Sequence, residues 1–147
     1  MITARFSIAL QEFRCARSGA SAVEFALILP VFLAIVFGIV VFGSYLAVVH
    51  GVQQLAAEAA RSSVAGLSES ERSKLANDYV TENAGAYILI DPSHLTVDAV
   101  TSVSDANVFT VTVRYDASDM FIYSLPSFVP SPPSTVERAA AIPRGGY

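Results

Sequence analysis

Apolar positions dominate one stretch of this chain: residues 25–49 carry no formally charged side chain. A helix of that length rises about 37 Å, more than the roughly 30 Å of a bilayer's hydrocarbon core. The run shows no polar face, so it predicts a membrane-spanning helix in preference to the core helix of a soluble domain. It is also longer than the apolar part of a cleaved secretory signal, about 7–15 residues, although Ala57 and Ala59 supply a small-residue site downstream. Pro30 lies early in the run, where a missing amide predicts a local kink or loosened first turns. Gly38 and Gly43 are not at the four-residue spacing of a small-xxx-small dimer motif. They read as ordinary membrane-helix glycines that permit close approach of a neighbouring helix. Val49 closes the run.

Beyond it the pattern changes to helical spacing. Val52, Leu55, Ala56, Ala59, Ala60 and Val64 form one stripe up to Gly66, so the membrane helix continues as a stem. Ser68 followed by Glu71 is a capping box that opens a second helix with Leu75, Tyr79 and Val80 on a common face and Gly85 as its terminator. An apolar run at 87–90 is broken by Asp91 and Pro92. The period then becomes two. Leu95, Val97, Ala99, Thr101 and Val103 alternate with more polar neighbours, residues 104–107 form a turn, and Phe109, Val111, Val113 and Tyr115 alternate again. Residues 116–133 hold Pro126, Pro130, Pro132 and Pro133 among Met120, Phe121, Ile122, Tyr123, Leu125, Phe128 and Val129, an ordered but irregular loop. Its apolar side chains either line the sheet's core or form a subunit contact. Residues 135–142 return as a third strand of modest propensity.

A hairpin is marginal alone and must pack on the stem and the second helix. The expected fold class is therefore α+β: a long amino-terminal transmembrane and stem helix with a small antiparallel-sheet head. Residues 1–19 are a leader, 20–66 the helix and 67–147 the head.

Charge gives this plan an orientation. Residues 1–19 hold Arg5, Arg14 and Arg17 against Glu12, whereas residues 51–147 are acidic within a chain of net charge −4. The positive-inside bias keeps the amino end in the cytoplasm of a bacterial inner membrane and sends the head to the periplasm. No stretch concentrates Lys and Arg as a nucleic-acid footprint would. Cys15 is the one cysteine, on the cytoplasmic side, and forms neither an intrachain disulfide nor a multi-thiolate metal site.

The boundary itself is the candidate site. Gly19, Ala20, Ser21, Ala22 and Val23 lead to Glu24, set directly against Phe25 and the apolar run. A carboxylate costs about 2.5–3.5 kcal/mol at mid-span and less near the interface, so Glu24 calls for a cation. Cutting after Gly19 would leave a free amine on Ala20, one helical turn from Glu24 and at the positive end of the helix dipole. In an uncleaved anchor, Glu24 would instead face Arg17 at the interface.

This arrangement resembles the type IV prepilin signal, in which a peptidase cuts after glycine and glutamate is the fifth mature residue. Counted from Ala20, Glu24 is fifth. More narrowly, residues 19–30 with Phe37–Gly38 and Phe42–Gly43 resemble the TadE-like proteins of tight-adherence pilus systems. The resemblance implies a prepilin peptidase, other pilins and the pilus assembly machinery as partners, with Glu24 neutralising a neighbour's terminal amine in the assembly. The long stretch after the span implies a minor pseudopilin in preference to the shaft subunit. The competing reading is an uncleaved, membrane-tethered binding or adaptor protein.

Residue chemistry elsewhere points away from an enzyme. His50 and His94 have no metal-ligand spacing to another His or Cys, the aspartates form no calcium loop, and there is no phosphate-cradling glycine loop or nucleophile-and-base set. No cofactor is expected.

Overall fold

A computed structural model describes residues 17–103, 105–126 and 129–143, with the side chains of Arg17 and Ser18 left aside. Most of the leader, with Cys15, and also Ser104 and Phe128, lie outside the described residues.

The order of elements is helix α1 (Arg17–Ser62), a 3-10 turn (Ser63–Ala65), helix α2 (Glu69–Asn83) and strands β1 (Leu95–Thr101), β2 (Val108–Asp116) and β3 (Thr135–Pro143). Short 3-10 turns at Ala84–Ala86, Pro92–His94 and Phe121–Ser124 fill the connections. The architecture is α+β, a long apolar helix with a three-stranded antiparallel head. By contacts the chain divides into two units, Met1–Ile39 and Val40–Tyr147.

In the first unit the described residues are the amino-terminal part of α1, and their large apolar side chains are mostly exposed. The helix is unbroken at Pro30, where one hydrogen bond is lost among those of a 46-residue helix. The expected loosening does not interrupt it.

The second unit is built on the rest of α1. Val48, Val52, Leu55, Ala56, Ala59 and Ala60 form a buried stripe at helical spacing and pack with Ala76 and Val80 of α2 and with the sheet's inner face. On that face Phe109, Val111, Val113 and Tyr115 alternate inward, opposite Thr101, Ala99, Val97 and Leu95 in β1. Their partners in β3 are Ile142, Ala140, Arg138 and Val136. The central strand is thus covered on both edges, and burying Phe109 contributes about 1.5–3 kcal/mol relative to leaving it in water.

The capping box forms with one shift. Ser68 Oγ accepts from the Glu71 amide at 3.2 Å, but Glu71 Oε2 reaches back to the amide of Leu67, one residue before the cap, at 2.9 Å. The buried face of α2 is Arg72, Ala76 and Val80, a strict i, i+4 row, with Leu75 and Tyr79 half-buried at its side. Gly85 does not end this helix. α2 ends at Asn83 and passes into a 3-10 turn, with no glycine at positive φ among the described residues.

Two expected core positions are exposed. The stripe on α1 is centred between Val52 and Ala59, so the next inward position is Ser63, whose hydroxyl donates to the Ala60 carbonyl at 2.7 Å, and Val64 falls outside it. Val103 lies beyond β1, which ends at Thr101, and its side chain is open to solvent.

The proline-rich segment is ordered by specific bonds. The Ala117 amide donates to Ser134 O at 2.7 Å, and the Tyr123 hydroxyl donates to Pro133 O at 2.8 Å. Ile122 and Val129 are buried, while Phe121 stays half in solvent.

Candidate functional site

The helical fold of residues 17–30 fixes the geometry of the boundary motif. Gly19 and Ala20 stand in the opening turns of α1, and Glu24 follows Ala20 by four residues, about 6 Å along the axis. All three are exposed, and a Cβ added at Gly19 would meet nothing within 4 Å. Glu24 has no hydrogen bond or ion pair to any described residue. The site is a carboxylate at the head of an apolar helix, one turn from a glycine-alanine bond, with no cation paired to it among the described residues.

Behind it, Phe25 is exposed, as are Leu27, Ile28, Val31, Phe32, Ile35 and Ile39. Helix Gly19–Ala65 is, among the described residues, the one long and apolar enough to cross a membrane. At both Gly38 and Gly43 an added Cβ would find open space, so neither glycine packs against another part of the chain. Ser44, the one hydroxyl of the run besides Tyr45, is satisfied within the helix by donating to Val40 O at 2.7 Å.

Val49, the end of the uncharged run, belongs to the head's surroundings. Val41 and Val48 are fully buried, and Tyr45 and Val49 pack against the head's core. The part of α1 that packs within the second unit therefore begins inside the apolar run, at Val40 and Val41.

Several groups in the head depart from ordinary titration. Burial pushes the hydroxyls of Tyr87 and Tyr123 up, with Tyr79 and Glu58 adding to the first and Tyr45 and Asp116 to the second. Asp91 is pulled down by the side chain and amide of Ser93, and Asp116 by the amide and side chain of Ser118. His94 Nε2 lies 3.6 Å from Asp119, and its ring is tilted against Tyr115 at a centroid distance of 6.5 Å. No group of three or more His, Cys, Asp or Glu among the described residues could hold a metal ion. His50 is exposed on α1.

Two features of the head carry no simple sequence signal. Arg72 is buried within the first turns of α2 and donates from Nε to Gly66 O. Gly51 leaves room on α1 for the side chains of Ile90 and Tyr87, which would lie 2.8 and 3.1 Å from an added Cβ.

Comparison with known proteins concentrates on α1. The family model described as TadE-like protein matches residues 19–61, beginning at the glycine of the boundary motif and ending one residue short of the helix end. No curated protein and no solved structure matches.

Proposed function

We propose that this chain, whose residues 19–61 match the model of the TadE-like proteins, acts as a minor pseudopilin of the Tad pilus system. A prepilin peptidase cuts between Gly19 and Ala20. The new amine on Ala20 and the carboxylate of Glu24 then serve as complementary charges at the end of an apolar helix, each satisfied by its own chain or by a neighbouring subunit. Within a packed bundle of such helices the pair sets the axial stagger, because leaving one charge unpartnered in a low dielectric is strongly unfavourable.

The carrying observation is the exposed Glu24, one turn from Ala20 and without an ion pair to any described residue. Open space around Gly38 and Gly43 supports close approach by other helices. The role is one of assembly, not catalysis. The basic leader remains in the cytoplasm, α1 crosses the inner membrane, and the acidic head faces the periplasm.

Intact-mass measurement on protein extracted from membranes tests the reading. The expected mature amino terminus is Ala20, with or without a methyl group. A leader retained on all of the mature protein would replace the pseudopilin with an uncleaved, membrane-tethered adaptor.

A further inference from the structure

The segment 87–91 is held so that Tyr87 and Ile90 face inward while Ile88 and Leu89, between them, do not. Tyr87 and Ile90 turn toward α1, over the space that Gly51 leaves. The Tyr115 hydroxyl fixes the far end, accepting from the Asp91 amide at 3.3 Å and donating to Leu89 O at 3.4 Å. Ile88 and Leu89 are left pointing outward, Ile88 with 99% of its surface exposed.

These two residues join two shallow grooves. One is shared with Ala47 of α1, the other with Met120 and Phe121 of the proline-rich segment, and Phe121 is itself half exposed. Ala47 lies inside the uncharged run, beside exposed Leu46 and just before His50, Gln53 and Gln54, the first exposed polar positions on α1 beyond it. The apolar surface of the helix thus continues sideways onto the head at the level where the helix itself turns from apolar to polar. Neither groove is lined by Lys or Arg, and Asp91 marks the polar edge of one of them.

From this continuity we infer that Ile88, Leu89 and Phe121 form a collar that rests in the interfacial zone of the bilayer beside the outer end of the membrane helix. The inference builds on the membrane placement proposed above. The ligand is a lipid surface, and because the collar has no cations, zwitterionic lipid is sufficient. The collar holds the head down on the membrane.

The chain contains no tryptophan, so a single introduced one reports its own position. Three variants of the full chain, Ile88→Trp, Ile35→Trp and Val64→Trp, are reconstituted in phosphatidylcholine vesicles containing lipids brominated either near the glycerol or deep in the acyl chains. Ile88 is fully exposed and accepts the larger ring without repacking. Its tryptophan should emit at shorter wavelength than that at Val64 and lose emission to the shallow bromines more than to the deep ones. The tryptophan at Ile35 should lose emission to the deep bromines, and that at Val64 to neither. An Ile88→Trp signal indistinguishable from Val64→Trp, with Ile35→Trp quenched, would overturn the collar while leaving the membrane span intact. An unquenched Ile35→Trp would remove the span and the collar together. A blue shift at Ile88→Trp that develops only as the protein-to-lipid ratio rises would assign the surface to a second copy of the chain and also overturn the collar.

Discussion

Arg72 Nε donates to the carbonyl oxygen of Gly66 at 2.9 Å, tying the first turns of α2 to the residue that closes the turn after α1. The approach is close because Gly66 has no side chain: an added Cβ would lie 2.7 Å from both the Arg72 amide nitrogen and its Cγ. Gly66 has φ of −73°, so space and not backbone conformation demands glycine. Gly66→Ala should destabilise the head by about 1–3 kcal/mol, read from denaturant unfolding of the detergent-solubilised chain. Arg72→Ala should cost a similar amount through lost packing and an unpaired carbonyl, about 1–3 kcal/mol. Arg72→Met should cost less, because Nη1 is buried without a hydrogen-bond partner and its removal relieves that burden.

Glu24→Ala removes the exposed carboxylate without touching the head. Membrane-fraction levels should match the unmodified protein, while surface pili counted by electron microscopy fall to near background. Breaking a low-dielectric charge pair by removing one partner costs about 3–5 kcal/mol, enough to deplete a subunit contact severely. Normal piliation, in a strain where this protein is otherwise required, would show that Glu24 makes no assembly contact.

Acid should weaken the head in a defined window. The carboxyls of Asp91 and Asp116 are held below the ordinary value by hydrogen bonds from Ser93 and Ser118. A depressed folded-state pKa gives stability that is present above the unfolded value, about 4, and is lost as pH falls through the folded value. Thermal midpoints should therefore decline below about pH 4. Asp91→Asn and Asp116→Asn together should flatten that decline, and an unchanged acid limb would exclude these two groups as its source.

Cutting α1 at two places separates its roles. A fragment beginning at Val40 keeps Val41, Tyr45, Val48 and Val49 and should unfold cooperatively in mild detergent. A fragment beginning at His50 loses them all. Burial of each valine contributes about 1.5–3 kcal/mol, so the loss approaches the whole stability of a small domain. Near-ultraviolet circular dichroism should show fixed aromatic packing in the first fragment and little in the second.

Much of the head is legible in the sequence because its signals are local. Phe109, Val111, Val113 and Tyr115 alternate without interruption, and Ser68 with Glu71 marks the start of α2 within one residue. The helix that carries Gly19, Ala20 and Glu24 is legible for the same reason, since the uncharged run behind them is continuous. What stays hidden is where α1 exchanges one apolar environment for another. Val31 faces outward and Val48 is fully buried, yet both are valines in an uncharged run, and hydropathy gives them the same reading. Arg72 is hidden for the opposite reason: a charged side chain near a helix start reads as solvated, and its burial depends on the space left by a glycine six residues earlier. The inward turn of Tyr87 and Ile90 likewise depends on Gly51, far away in sequence.

The burial of Val41 and Val48 gives the order of folding a physical basis. Strands made late in synthesis have no complete core until the carboxyl-terminal turns of α1 are available to pack against them. A chain whose helix is stalled or misplaced would present an unfinished, protease-sensitive head. From Val40 onward the helix and the head are thus a single folding unit, neither part of which has a complete core without the other.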